Sequence, residues 1–152
     1  MRKLLLVLLL SLPVLALPTP EEVVIKLYRT HIKTQDASKT VAQLPRTFTA
    51  EFRALIDKGL AKQGLDSDLF THQKANMTDF ELTTTSVQTT QAQVHLQIWT
   101  GGRLGQQKGE PQEATIYLLD LEGGVGYQID DIQFQAKPRF RLREFLKALV
   151  GN

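Results

Sequence analysis

Cysteine is absent from the chain. No disulfide can hold the fold, no thiolate can join a metal site, and no lipidated cysteine can tether the protein. Stability must come from a hydrophobic core, and a chain of 152 residues can bury roughly two thirds of its unfolded surface. Excess charge is also missing. Eighteen Lys and Arg stand against sixteen Asp and Glu, and two of those bases, Arg2 and Lys3, belong to an N-terminal leader. Without the leader the chain is formally neutral, which removes the main support for nucleic-acid binding, because phosphate contacts need clustered positive charge. Neither a Gly-Lys-Ser/Thr helix start nor a Gly-x-Ser-x-Gly elbow is present, and the glycines of "TGGRLGQQKGEP" (residues 100–111) read as a hairpin loop.

Long apolar runs are scarce too, with one exception. Arg2 and Lys3 precede Leu4 to Leu12, then Pro13 and Val14-Leu15-Ala16, the pattern of a signal peptide with small or short residues at the cleavage positions. The expectation is cleavage after Ala16, a signal peptide over residues 1–16, and one soluble, exported domain over 17–152, periplasmic or extracellular. The run meets Pro18, Pro20, Glu21 and Glu22 before reaching the ~20 apolar residues a membrane helix needs, so no stable anchor is expected after cleavage.

What is present divides by periodicity. Thr19 as N-cap, Pro20 at the first helical position and two acids after it start a helix, with Val24, Leu27, Tyr28 and Ile32 on one face. A polar stretch from Thr34 to Thr40 ends it. A second helix is expected from about Ala50 to Gln63, capped by Thr49 and stopped by Gly64, with Phe52, Leu55, Ile56 and Leu60 inward. From Asp79 the period becomes two. Strands follow around Phe80-Leu82, Val94 to Trp99, Ala114 to Leu121, and, after Gly123-Gly124, the stretch "GYQIDDIQF" from Gly126 to Phe134. After Pro138, Leu142, Phe145, Leu146 and Leu149 give a closing helix. The fold class expected is α+β, with N-terminal helices packed on a curved four-stranded antiparallel meander and a short C-terminal helix.

Within the fourth strand, Val125, Tyr127 and Ile129 share one face, while Ile132 and Phe134 share the other. A β-bulge at Asp130-Asp131 is the economical way to bury both sets against one core. One reading gives these acids to freed backbone donors and to water. The other places one carboxylate in a pocket, where burial would suit it to proton transfer.

A second constellation is Asp66-Ser67-Asp68-Leu69-Phe70-Thr71-His72-Gln73. It starts like a calcium loop, but Thr71 stands where Gly is needed and Met77 where Glu is needed, so Asp66 or Asp68 is expected to cap a short helix running through Gln73. His31, His72 and His95 show no metal-ligand spacing, and neither a metal nor a cofactor is expected. The bases Lys137, Arg139, Arg141, Arg143 and Lys147, with Glu144, read as the solvated face of the last helix. Asn76-Met77-Thr78 matches a glycosylation acceptor, and Trp99 reads as packing or an edge contact.

Four stretches in order, "FTAEFRALI" before "LDSDLFTHQ", then "VGYQIDDIQF", then "LREFLKAL", resemble the exported bacterial family catalogued as domain of unknown function 3828. The matching positions are Asp66, Asp68, Phe70 and Gln73, then Tyr127, Ile129, Asp130 and Ile132. Lys74 stands where the family often has an acid, and Tyr127 where tryptophan is usual. The resemblance implies a cystatin-like fold of the nuclear-transport-factor-two class, in which a curved sheet wraps a helix around a conical pocket. Members of that class include enzymes, small-molecule binders and association modules, so fold analogy does not choose among them. The first expectation is a non-catalytic module for a small molecule or protein partner, with the Asp66–Gln73 segment (Asp66, Asp68, Gln73) and the fourth strand (Asp130, Asp131) lining a common cleft. The alternative is a small acid/base enzyme using Asp131 or Asp130 with Tyr127. A third reading makes the sheet face a homodimer surface.

Overall fold

The computed structural model describes residues 16–62, 65–121 and 126–151. The leader assigned to residues 1–16 lies, apart from Ala16, outside them, as do Gln63, Gly64 and the Gly123-Gly124-Val125 connection.

Helix α1 spans Pro20–Thr34 and opens as the sequence implies, with Pro20 first and Thr19 as N-cap. The cap is a reciprocal box: the Thr19 hydroxyl accepts from the Glu22 amide at 3.3 Å, and the Glu22 carboxylate accepts from the Thr19 amide at 2.9 Å. The polar stretch that follows is not a loop. Gln35 turns the chain in a left-handed conformation (φ 49°), and Asp36 then caps a seven-residue helix, α2 (Ala37–Gln43), by accepting from the Lys39 amide at 2.8 Å. Helix α3 (Ala50–Ala61) is capped by Thr49 and buries Phe52 and Ile56.

The sheet has five antiparallel strands in sequence order: β1 (Met77–Gln88), β2 (Gln91–Thr100), β3 (Gln112–Asp120), β4 (Tyr127–Phe134) and β5 (Phe140–Arg141), which runs into α4 (Leu142–Gly151). The four-stranded expectation misses β5, whose two residues pair with Gln133 and Phe134. Alternate residues of β2 and β3, among them Val94, Leu96, Ile98, Ala114, Ile116 and Leu118, join Leu27 and Tyr28 of α1, Phe52 and Ile56 of α3 and Leu146 of α4 in one core. The opposite sheet face carries His95, Thr115, Tyr117 and Gln133, with Thr115 and His95 hydrogen-bonded at 2.9 Å. Trp99 is buried but stands apart from the main core, at the strand end where the loop 101–111 folds back through the Gly105 amide to the Thr78 carbonyl.

The bulge in β4 is present. Tyr117 pairs with Asp131 and Leu118 with Ile129, which leaves Asp130 as the extra residue. Its insertion shifts the alternation by one, so Ile129, Ile132 and Phe134 are all fully buried in the same core. The outer edge of β4 is covered in two halves. Thr47 and Thr49 exchange backbone bonds with Ile129, at 2.8 and 2.9 Å, and β5 covers Gln133 and Phe134. Asp130 and Asp131 sit at the junction.

Among the described residues no helix is long and apolar enough to cross a membrane.

Candidate functional site

At the β4 junction both acids are engaged. Asp131 is only 4% exposed. Its Oδ1 accepts from the Ile132 and Arg143 amides at 2.8 and 2.9 Å, and its Oδ2 takes Nε and Nη2 of Arg141, both at 2.9 Å. Four donors from a strand, a helix start and a guanidinium fork close the carboxylate. The Arg141 guanidinium lies 4.9 Å from the centre of the Tyr117 ring, and the Tyr117 hydroxyl donates to Gln133 Oε1 at 3.3 Å. Asp130 accepts from the Thr49 hydroxyl at 2.8 Å and pairs with Arg143, which also holds Glu51 and the Asp130 carbonyl. These arginines are therefore not the solvated face of a helix; they are internal partners that stitch α3, β4, β5 and α4 together. Neither acid simply faces water.

Tyr127 is remote from this junction. It packs against the helix-side core and lines a separate cleft of about 360 Å³ with Pro18, Val23, Leu44 and Arg46, while Asp131 lines one of about 300 Å³ with Tyr117, Arg141 and Lys147. The bulge puts the two side chains on opposite faces of the sheet, so they do not form an acid/base pair.

Asp66, Asp68 and Gln73 come together elsewhere. They line a polar cleft of about 340 Å³ with His31, Lys74 and Asn76. The common cleft expected for this segment and the fourth strand is not formed, because the two face different concavities. Nor does the segment form a helix. Asp68 Oδ1 accepts from the Phe70 and Thr71 amides at 2.8 and 3.1 Å, while the Asp68 amide donates to the Gln73 carbonyl and the His72 amide to the Asp68 carbonyl. The result is a closed turn, with Asp68 rather than Asp66 as its cap.

Helix α1 anchors this turn. His31, 2% exposed, reaches Asp68 Oδ1 through Nε2 at 3.0 Å and Thr40 Oγ1 through Nδ1 at 3.0 Å. Tyr28 donates to the Phe70 carbonyl at 3.1 Å. Burial, and then the Asp68 charge, push the Tyr28 hydroxyl far above its ordinary value, so it stays a protonated donor. Hydroxyl, imidazole and carboxylate here stand in the order of a nucleophilic triad. The Thr40 hydroxyl, however, is completely buried and donates to the Asp36 carbonyl at 2.7 Å, so no substrate can reach it.

On its other side the turn borders an apolar cleft of about 260 Å³, lined by Leu65, Leu69, His72, Phe140, Phe145 and Leu149 as well as Asp66 and Asp68. His72 adopts a left-handed φ of 53° and stacks on Phe140 and Phe134, with ring centres 4.1 and 5.5 Å away. Burial lowers its pKa from the ordinary imidazole value. Sequence reading left His31, His72, Phe140 and Phe145 outside the site. The available signals were the position of His72 inside the aspartate segment and the alternation of "FRLR" from Phe140 to Arg143, which is strand-like before it is helical. Among the described residues no group of three or more His, Asp or Glu is placed to hold a metal ion.

Comparison with protein-family models, curated proteins and solved structures finds no match to this chain.

Proposed function

We propose that the protein is a non-catalytic, exported ligand-binding domain whose site is the turn from Asp66 to Gln73. One contrast carries this reading: Asp131, the buried carboxylate of β4, is closed on both oxygens by internal donors, whereas among the described residues Asp68 of the turn is bonded through Oδ1 alone and borders clefts of about 340 and 260 Å³. A general base needs an oxygen free to take a substrate proton, and Asp131 spends both of its own on Arg141 and two amides. The order of helices, meander and closing helix supports a cystatin-like arrangement of the nuclear-transport-factor-two class. The order of motifs supports membership of the domain of unknown function 3828 family. Arg2, Lys3 and the apolar run behind them support export, with a mature chain starting at Leu17 that N-terminal sequencing of the exported protein should report.

The binding reading is tested by recording amide NMR spectra of residues 17–152 against five probes of different chemistry: p-cresol, indole, glucose, spermidine and citrate. Saturable shifts centred on residues 65–76 with at least one probe are expected. Shifts centred on Tyr117, Asp131 and Arg141, or no saturable shift with any of the five, would overturn it.

A further inference from the structure

The two clefts beside the turn differ in chemistry, and the apolar one constrains its occupant. Its walls are Leu65, Leu69, Leu142, Leu149, Phe140 and Phe145. Phe145 is among the exposed large apolar side chains, and its ring lies 5.2 Å from that of Phe140. A dry apolar cavity of about 150 Å³ accepts benzene, so about 260 Å³ accommodates one substituted aromatic ring. The only imidazole in the lining belongs to His72. Among the described residues its ring stacks on Phe134 and Phe140, and no buried side-chain nitrogen or oxygen goes unpaired, so its nitrogens are not sealed in the core, and the residue itself lines the cleft. A neutral imidazole there offers one acceptor and one donor. At the rim stand Asp66 and Asp68, which repel an anionic ligand and leave a neutral one unopposed.

Resting on the proposed binding role of the turn, we infer that this cleft takes a small neutral phenol, its ring between Phe140, Phe145 and Leu149 and its hydroxyl donating to the His72 imidazole. The left-handed backbone at His72 fits this assignment. A non-glycine residue held there is costly and persists where its surroundings fix it, and here the ring is stacked on Phe140.

Amide NMR titrations of residues 17–152 with p-cresol, toluene and p-toluate provide the test. Expected are saturable shifts at residues 65–72 and 140–149 with p-cresol, affinity for toluene lower by about tenfold for the missing hydrogen bond, and no saturation with p-toluate. The variant His72→Phe keeps an aromatic ring against Phe140 and should bind p-cresol and toluene equally. A preference for p-cresol that survives in His72→Phe, equal affinities in the parent protein, or tighter binding of p-toluate would overturn the inference. So would silence with p-cresol while another of the five probes titrates residues 65–76, a result that leaves the binding role of the turn standing. Silence with all five removes both.

Discussion

Asp131 and Asp68 are both largely hidden carboxylates that gather several donors, but they distribute them differently. Asp131 uses both oxygens, two amides on one and the Arg141 fork on the other. Asp68 gathers His31 and the Phe70 and Thr71 amides on Oδ1 alone, and its side chain remains 22% exposed; among the described residues Oδ2 accepts no internal hydrogen bond. A carboxylate closed on both oxygens is part of the frame. One that leaves an oxygen toward a cleft can hold a turn and still meet a ligand. The two regions thus engage the same residue type differently, according to how the surrounding donors are divided between its two oxygens.

The sharpest way to break the contrast is Asp131→Ala. Two amides and a guanidinium lose their acceptor together, and with Arg141 38% exposed the loss is discounted for solvent, leaving about 2–3 kcal/mol by urea unfolding. A smaller effect, about 1–2 kcal/mol, is expected for Asp68→Ala, which strands buried His31 and two turn amides. Hydrogen exchange separates the two variants: Asp68→Ala should lose protection in residues 65–76 and retain it in β4. Asp66, whose carboxylate accepts no hydrogen bond among the described residues, should tolerate Ala within about 0.5 kcal/mol.

The pH dependence sharpens the comparison from the other side. Burial lowers the His72 pKa from its ordinary 6.5, so as pH falls the unfolded chain takes up a proton before the folded one does. The slope of stability with pH is then positive in that window. His72 therefore costs nothing above about pH 6.5 and reduces stability as pH drops from there toward its folded-state value. The difference in urea midpoint between parent and His72→Phe should be constant from about pH 7.5 to about 6.5 and shift against the parent as pH falls toward about 5. Parallel curves would mean that the ring is solvated.

The same contrast explains what was legible in the sequence. The bulge could be read because Ile129 and Ile132 cannot both face one core without an extra residue between them. Helix α1 could be read because Thr19, Pro20 and Glu22 are local signals that act on their own neighbours. Helix α2 escaped because its seven residues are mostly polar and too short to show a period, and β5 because two residues show none at all. The roles of Arg141 and Arg143 escaped for another reason. Their partners, Asp130, Asp131 and Glu51, lie on other elements, and a run of bases looks solvated until a fold brings acids to it. His31 and Asp68 likewise meet only after α1 packs beneath the turn. Local chemistry was therefore visible in the sequence, whereas pairings between elements were not.

The most direct test of the central claim is a double-mutant cycle between Asp131 and Arg141, using Asp131→Ala, Arg141→Met and the double variant in urea unfolding. If the β4 carboxylate belongs to the frame, the coupling should be about 1.5 kcal/mol or more, as expected for a hydrogen-bonded pair with one partner buried. Coupling indistinguishable from zero would mean that Asp131 is free of Arg141, and would return the fourth strand to the position of first candidate for chemistry.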